Sequence, residues 1–406
     1  MNYDFVVIGA NGMQGRIVSR DLLESGFSVL LAATDDYNLD PLLENKKADF
    51  AQIDLRKIER VKKVVKRSGA ATVINCAVDD YNLVVTKLCL DLGVNYIDLG
   101  SVDEEMTYGQ FRMSDEFAEK KIIGITGMGS TPGINNVMLR YVRPQFDKIH
   151  TVHLGFAWNS NMPVFVPPFS LDAISWEFTE KAKVFENGKF VLRAPEECKI
   201  NYDYREVGKL KTFYTAHVEH YTFYEYLKGA GIKNIMVCSS FPDHSREAIM
   251  KLIELGFTKK DKIDIEGVAV SPLDYSIEVL RRTPIPAGYK EKENIWLKVY
   301  GSKDGKEKVV EMDAIAGTLP GWEDATCNVD TGMPVSITAQ MIKSGLISEV
   351  GVFAPEFVVP PEPFFEELGK RKIWIYENGI KINGKGKLSK QAKKKETSKL
   401  LEPVAA

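Results

Sequence analysis

The chain has 406 residues, which is too long for one ordinary hydrophobic core, so two domains are expected. Apolar residues make up 44% of the chain and charged residues 27%, a mixture typical of a soluble globular protein. The formal net charge of −3 gives no electrostatic reason to expect a nucleic-acid or anionic-membrane partner, so a small molecule is the simplest ligand.

The N-terminus and the cysteines favour a cytoplasmic protein. The opening MNYDFVVIGANG enters an apolar run without a basic segment, an h-region or a cleavage site, and the longest apolar runs are strand-sized. The five cysteines are scattered and form no C-x-x-C pair, which argues against a disulfide framework and a zinc ribbon. We therefore expect a reducing compartment, no membrane contact and no metal.

The first stretch of the chain predicts a dinucleotide site. An apolar run from Phe5 to Ile8 predicts a strand, and an amphipathic helix follows a turn with the spacing G-x-x-G-x-x-G. Gly9 permits the tight turn, Gly12 brings backbone N–H groups to a pyrophosphate at the helix N-terminus, and Gly15 lets helix and strand pack closely. The turn residues expected to hold the cofactor are Gly9, Asn11, Gly12, Met13, Gln14 and Gly15.

Asp35 decides which nicotinamide cofactor is expected. It lies about 20 residues beyond Gly15, at the end of the predicted second strand, where a carboxylate accepts hydrogen bonds from both hydroxyls of an adenosine ribose. The same carboxylate repels a 2′-phosphate. The sequence therefore favours NAD, with NADP as the second choice.

Strand–helix alternation continues to residue 126 and predicts a doubly wound parallel sheet, an α/β Rossmann domain. The further strands are expected at 49–55, 72–77, 95–99 and 122–126, with helices at 58–66, 83–92 and 111–120. Ligands of such sheets lie outside the carboxyl ends of the strands. On this rim we expect Asp54 and Leu55 to flank adenine, Ala77 and Val78 to lie near the pyrophosphate and nicotinamide ribose, and Asp98 to be nearer the reacting end.

The turn-rich segment GMGSTPGINN, residues 127–136, marks a domain boundary. Beyond it, β-type runs at 151–158, 211–217, 234–240, 295–300 and 308–314, with few regular helices between them, predict an inserted α+β substrate and dimerisation domain. The expected divisions are residues 1–130 for the dinucleotide-binding domain, 131–329 for the substrate domain, 330–365 for a helix and strand returning to the first domain, and 384–406 for a flexible Lys-rich tail.

Three stretches together resemble the saccharopine dehydrogenase family. They are VVIGANGMQG with ATVINCAVDDYNLVVTKLCLDLGVNYIDLGS, the junction GITGMGSTPGINN, and TGMPVSITAQMIKSGLISEVGVFAPE near the end. The resemblance is to the saccharopine reductase and lysine 6-dehydrogenase branch, together with carboxynorspermidine dehydrogenase. It covers the middle of the chain only through FSLDAISWEFTEKAKVFENGK.

This resemblance implies an NAD(P)-dependent dehydrogenase that passes a hydride between nicotinamide and a carbon bearing an amine, through an imine. The implied substrates are amino acids or polyamines, and a homo-oligomer, favouring a dimer, is implied with them. The loop Gly9 to Gly15 and Asp35 would hold the cofactor, Asp98 would lie near the substrate amine, and Ser130 to Asn136 would line the domain cleft. Two alternatives stay open: a non-catalytic nucleotide-binding redox sensor, and ordinary ketone–alcohol transfer.

Oxidation of an amine requires a neutral nitrogen, so a general base is expected. Asp98 is the first candidate and Asp79 the second, because both leave the predicted rim near the nicotinamide, where burial raises a carboxylate pKa. The alternative is that each only caps a turn or a helix.

His217 and His220, in AHVEHY, would form a metal pair only on a helix, where residues three apart share a face. The β-type flank argues against this, so we expect His217 to be a substrate contact or proton relay. The alternative is two satisfied, partly buried histidines. A substrate carboxylate would require an arginine, and the sequence does not choose among Arg193, Arg205, Arg246, Arg281 and Arg282.

Overall fold

The first domain is built on a parallel sheet whose two faces are both covered. The computed structural model describes residues 2–384. Residues alternate between the faces along strand β1 (Phe5–Ile8): Phe5 and Val7 join one core, and Val6 and Ile8 join the other. The other strands of the domain are β2 (Val29–Ala33), β3 (Ala48–Gln52), β4 (Thr72–Asn75), β5 (Asn95–Asp98) and β6 (Ile123–Ile125).

Six helices connect these strands. They are α1 (Met13–Glu24), α2 (Asp40–Leu43), α3 (Ile58–Ser68), α4 (Asn82–Leu92), α5 (Glu104–Phe111) and α6 (Ser114–Glu119). The helix expected at 111–120 is instead two helices, α5 and α6, which are separated at Arg112 and Met113. The strands expected at 49–55 and 72–77 end earlier, at Gln52 and Asn75, because the chain turns there to form the rim.

The second domain is a mixed sheet with helices. Its strands are β7 (Lys148–Ser160), β8 (Ala182–Glu186), β9 (Lys189–Arg193), β10 (Asp203–Tyr204), β11 (Gly208–Lys209), β12 (Thr212–Tyr214), β13 (Asn234–Ser240), β14 (Ile263–Ile265), β15 (Val268–Val270), β16 (Glu291–Lys303) and β17 (Lys306–Gly317). Its helices are α7 (Asn135–Val142), α8 (Leu171–Thr179), α9 (Glu219–Leu227), α10 (Asp243–Glu254) and α11 (Pro272–Arg282).

The expectation of few regular helices in this domain is wrong, since α8 to α11 each have nine or more residues. In α9 the run EHYTFYEYL is rich in aromatic residues, which favour strands. Packing overrides this preference: His220, Tyr221, Thr222 and Phe223 are all buried in a helix.

The C-terminal part of the described chain returns to the first domain and then leaves it again. Its elements are α12 (Val329–Lys343), β18 (Gly351–Phe353), α13 (Pro355–Val358), α14 (Pro361–Lys370), β19 (Trp374–Glu377) and β20 (Ile380–Lys381). Helix α12 packs on α1, where a Cβ on Gly332 would lie 2.4 Å from Ile17 Cγ2. Strand β18 pairs with β6, whereas β19 pairs with β17 of the second sheet. The expected Lys-rich tail lies, from residue 385, outside the described residues.

Each domain is built on one main sheet, and the strand order of each sheet defines its topology. The first sheet runs β3-β2-β1-β4-β5-β6-β18 with all strands parallel, and its order reverses between β1 and β4. The second runs β20-β19-β17-β16-β7-β13-β8-β9, with β12 on β13. The predicted fold class, a Rossmann sheet with a second α+β domain, is confirmed. None of the helices described is long and apolar enough to cross a membrane.

Candidate active site

The turn after β1 has the form of an anion-binding cradle. Gly9 has φ of +75°, and a Cβ there would lie 2.7 Å from the Ala77 backbone nitrogen. A Cβ on Gly15 would lie 2.1 Å from the Gly9 carbonyl oxygen. Helix α1 starts without a side-chain cap or an acidic residue in its first turn, so its first N–H groups are left for an anionic ligand. These residues fit a dinucleotide pyrophosphate.

The other turn residues have identifiable contacts. The Asn11 side-chain amide donates to Asp35 Oδ1 over 2.9 Å, which holds the turn against the ribose position. The Gln14 amide donates to Asn328 Oδ1 over 3.0 Å and connects the turn to the residue that precedes α12. Met13 is half-buried and packs on the core. Gln14 and Met13 therefore support the turn through their contacts with other parts of the protein.

Asp35 is oriented by three donors at the end of β2. The Thr34 hydroxyl donates to its Oδ2, and the Asn11 amide and the Tyr37 backbone N–H donate to its Oδ1. The hydrogen bonds from Thr34 and Asn11 lower the pKa of Asp35, so it is ionised at neutral pH. An exposed, fixed carboxylate here suits ribose hydroxyls.

Asp54 is committed to its own turn. Its carboxylate accepts from the Arg56 backbone N–H at 3.0 Å and from the Arg56 guanidinium at 2.9 and 3.1 Å, and Arg56 lowers its pKa. Leu55 beside it is half-buried against the core. Contact of these two residues with adenine stays a prediction.

The rim beyond β4 holds the second set of expected cofactor residues. Val78 is exposed at 64%, and Ala77 beside it is half-buried next to Gly9. Asp79 accepts a 2.7 Å hydrogen bond from the Ser101 hydroxyl, which joins the ends of β4 and β5. Asp79 therefore lies on the rim, within the region where nicotinamide is expected.

Asp98 is placed differently from the expectation. It is completely buried, and its two oxygens accept hydrogen bonds from five groups: the Tyr96 and Thr126 hydroxyls, the Gln110 amide, and the backbone N–H groups of Gly100 and Gly127. Burial raises the pKa of Asp98, and these donors oppose the rise. The structure corrects its expected role, because a carboxylate whose oxygens are filled from within does not meet a substrate amine. Asp98 instead fixes the junction that follows β6.

His217 lies between two buried glutamates of the second domain. Its Nε2 is 3.5 Å from Glu177 Oε1 on α8, and its Nδ1 is 3.3 Å from Glu219 Oε2 at the start of α9. Burial lowers the pKa of His217, but the two carboxylates outweigh burial and raise it to about 10. His217 is therefore an imidazolium at neutral pH. Burial raises the pKa of Glu177.

His220 does not join His217, and the expected β flank is wrong here because α9 begins at Glu219. The ring of His220 bonds Glu104 of α5, and Lys183 donates to the other oxygen of Glu104 over 2.7 Å. His220 thus links the two domains. Among residues 2–384 no group of three or more His, Cys, Asp or Glu side chains is arranged to hold a metal.

A second group of buried acids lies near the pair formed by Glu177 and Glu219. Glu293 on β16 is buried, accepts from the Cys327 thiol at 3.1 Å, and has its pKa raised to about 7 by burial and by the charges of Glu291 and Glu177. Asp330 on α12 is buried too, and burial together with Glu293 raises its pKa well above the usual range. Glu293 and Asp330 therefore favour a shared proton.

These acids are connected to the rim of the first domain. Thr331, next to Asp330, donates to the Ser130 hydroxyl over 3.1 Å, and Ser130 lies in the junction that Asp98 fixes. One oxygen of Glu177, Oε2, is buried and meets no donor from the described residues. An acceptor of this kind suits the N–H of an amine. The hydrogen bond between Thr331 and Ser130 thus connects the buried acids to the junction that follows β6.

The comparisons with known proteins agree with this geometry. Two family models match the chain: "Saccharopine dehydrogenase NADP binding domain" over residues 5–125 and "Saccharopine dehydrogenase C-terminal domain" over residues 129–373. The chain belongs to the saccharopine dehydrogenase family. The resemblance seen in the three sequence stretches is therefore confirmed.

The sequence identity between this chain and individual similar proteins is low. Carboxyaminopropylagmatine dehydrogenase from Synechocystis sp. is 24% identical over 393 residues, which cover 92% of this chain and 96% of the relative. Saccharopine dehydrogenase (L-Glu forming) from Saccharomyces cerevisiae is 13% identical with a TM-score of 0.72, covering 93% of this chain and 99% of the other. Homospermidine synthase from Legionella pneumophila, solved with NAD, is 13% identical with a TM-score of 0.67, covering 93% and 92%. The two structures show a shared fold.

As a saccharopine dehydrogenase family member, the chain is an NAD(P)-dependent dehydrogenase whose first domain binds the dinucleotide. The cradle from Gly9 to Gly15 and the carboxylate of Asp35 are the residues that would hold it. Contact of the nicotinamide with Asp79 and with the junction at Ser130 stays a prediction.

Four of the buried acids described above could not be identified as candidates from the sequence: Glu177, Glu219, Glu291 and Glu293. A signal for two of them exists, since Glu291 and Glu293 continue the inward register of Ile295, Leu297 and Val299 on β16. Acids at core positions of a strand indicate a functional site. Of the five candidate arginines, Arg246 is the one for which the described residues offer no carboxylate partner.

Proposed function

We propose that this enzyme makes or breaks a C–N bond of an amino-acid or polyamine substrate, through an imine. The observation that carries the proposal is His217 held between Glu177 and Glu219, with the Glu293–Asp330 pair beside it. The similarity to carboxyaminopropylagmatine dehydrogenase supports it, because that name describes an amine with several nitrogens. Lysine and saccharopine are the other candidates, and carboxynorspermidine is the alternative polyamine.

The charge of the site supports a substrate with more than one cationic group. Two acids, Glu177 and Glu219, flank the His217 imidazolium, and a second group of three, Glu291, Glu293 and Asp330, lies on the side of Glu177. Buried acids without enough bases favour a cation that would compensate them. A polyamine or guanidino-amine satisfies this better than an amino acid with one amine.

Proton exchange at the substrate nitrogen is the task of His217. The nitrogen must be neutral when the carbon loses hydride, and it must regain a proton after reduction. During imine reduction the His217 imidazolium donates a proton to the nitrogen. During amine oxidation only the neutral ring accepts one, and with a pKa of about 10 that form becomes populated as the pH rises toward 10. Glu177 and Glu219 hold the ring, and Glu177 Oε2 accepts an N–H of the amine. A bound nicotinamide would supply or accept the hydride.

Asp79 is the second candidate for contact with the reacting end, since it lies on the rim of the first domain. We propose NAD as the preferred cofactor because Asp35 is fixed and ionised at the ribose position. A homodimer and a cytoplasmic location complete the proposal. Five free cysteines support a reducing compartment.

The proposal is tested by following reduction of NAD and of NADP by absorbance with lysine, saccharopine, carboxyaminopropylagmatine and carboxylated polyamines. We expect turnover on a substrate with at least two cationic groups. His217→Gln should lower kcat at least about 100-fold, because it removes the proton-exchanging group. Binding of NADH, followed by its fluorescence, should not change.

The matched control is His150→Gln, since His150 is a half-exposed histidine of the same domain that pairs with Glu307. Full activity in His217→Gln would remove His217 from the mechanism. NADH binding without turnover on any substrate of the panel would favour the redox-sensor alternative.

A further inference from the structure

The ribose end of the cofactor site contains a residue from the second domain. Arg281 lies in the last turn of α11, and its guanidinium carbon is 4.9 Å from the centroid of the Tyr37 ring. Tyr37 donates its backbone N–H to Asp35 over 3.1 Å. Arg281 is thus stacked on the residue whose backbone holds the ribose-binding carboxylate.

The positive charge of Arg281 contributes to the lowered pKa of Asp35. Hydrogen bonds from Thr34 and Asn11 are the main causes of the lowered pKa of Asp35, and the guanidinium of Arg281 adds to them. A positive group and a negative group therefore stand together where the 2′ substituent of an adenosine ribose is expected. The carboxylate favours a hydroxyl there, whereas the guanidinium favours a phosphate.

Arg281 is available for a ligand. Its side chain is 51% exposed, and its carboxylate partner is Glu278 on the same helix, at 2.8 Å. An exposed i,i+3 ion pair contributes little free energy, so a dianionic phosphate competes with it easily. Tyr37 is 52% exposed and presents its ring beneath the guanidinium. An arginine held over an aromatic ring by weak contacts is a suitable phosphate ligand.

We propose that Arg281 binds the 2′-phosphate of NADP, so that the second domain, not the Rossmann domain alone, decides whether NADP is accepted beside NAD. The inference rests on the proposed cofactor site. It explains how a site with Asp35 at the ribose admits NADP: the guanidinium neutralises the carboxylate and offers two N–H donors to the phosphate. NAD needs no such partner.

The test is the dissociation constant of NADH and of NADPH, measured separately by nucleotide fluorescence with the full chain. We expect the Arg281→Ala variant to bind NADPH at least about tenfold more weakly than the wild type, since a charge-assisted pair is lost. Its affinity for NADH should stay within about twofold. The matched control is Arg282→Ala, because Arg282 is the next residue, also pairs with Glu278, and is 74% exposed.

Unchanged NADPH binding in Arg281→Ala would overturn the inference, and so would an equal loss for both nucleotides or an equal effect of Arg282→Ala. A wild-type protein that binds NADH but not NADPH would overturn it too, and would leave the proposed function standing. Failure of the wild type to bind NADH would count against the proposed function itself.

Discussion

Glu356 makes the stability of the folded protein depend on pH. It is fully buried, and its Oε2 accepts a 2.8 Å hydrogen bond from the Asn136 amide. Burial raises its pKa to about 7. A carboxyl whose pKa is higher in the folded than in the unfolded state stabilises the fold fully below the unfolded pKa, and this contribution is lost as the pH rises through about 7.

The variant Glu356→Gln keeps the acceptor for Asn136 and does not ionise. We expect its free energy of unfolding to equal that of the wild type near pH 5 and to exceed it by roughly 2–3 kcal/mol at pH 8. Urea denaturation at the two pH values measures the difference. The exposed Glu362 supplies the control, since Glu362→Gln should shift neither curve. A difference between wild type and Glu356→Gln that is the same at both pH values would contradict this account.

At the scale of single residues, local spacing is informative for the proposed cofactor residues and much less so for the proposed substrate residues. Gly9, Gly15 and Asp35 follow one another along the chain, so local spacing is enough to predict them. Asp98 was harder: the sequence placed it at the end of β5, but its burial depends on Gln110 and Thr126, which come from later elements. Contacts of this kind are not encoded in local spacing.

Among the elements, three helices of distant sequence are joined by one buried ion pair. Arg371, which follows α14, donates to both oxygens of Asp21 on α1, at 2.7 and 2.9 Å. Ser336 on α12 donates to the same carboxylate over 2.5 Å. The side chains of Arg371 and Asp21 are 11% and 7% exposed. Arg371 also pairs with Glu367 at 2.9 Å, whereas Arg371 is the cation that compensates Asp21.

Removal of one partner should therefore be strongly destabilising. We expect Arg371→Ala to lower the free energy of unfolding by about 3–5 kcal/mol, because Asp21 would remain buried and uncompensated. Lys370→Ala, which breaks the exposed neighbouring pair with Glu367, should change it by less than about 1 kcal/mol. Chemical denaturation measures both. Similar losses in the two variants would show that burial of the Asp21 pair has no special weight.

The hydrophobic pattern of the sequence predicts some of the strands and helices but not others. The parallel strands were predictable because each is a short apolar run between turn signals. Helix α9 was not, since its aromatic residues favour a strand and only its packing makes it a helix. Strands β19 and β20 were not anticipated, because they add to a sheet whose other strands lie more than fifty residues earlier.

For the whole molecule, many of the exposed apolar residues come from one segment of the second domain. Nine of the 21 large apolar side chains exposed in the described chain lie between residues 250 and 285. We call them the apolar surface: Met250, Leu255, Phe257, Ile263, Ile265, Val268, Tyr275, Val279 and Ile285. The hairpin of β14 and β15 lies within it, and in the described chain these strands pair only with each other.

A second copy of this chain is the occupant that we propose for the apolar surface. Each of the nine side chains is at least 40% exposed, so together they offer on the order of several hundred Å², a large part of the roughly 800 Å² that one partner buries in a standard interface. Unpaired strand edges bearing apolar residues are also self-complementary about a twofold axis. Both features favour a symmetric dimer.

Light scattering coupled to size-exclusion chromatography should give the wild type twice the mass of one chain. Ile265 and Val268 are direct partners across the hairpin and project on the same face, so the double substitution Ile265→Glu and Val268→Glu places two neighbouring charges in the proposed contact. We expect this variant to elute as a monomer with unchanged NADH binding. Leu346→Glu, at a site 55% exposed on the other domain, should leave the dimer intact. A monomeric wild type, or a double variant that stays dimeric, would show that the apolar surface is not the interface.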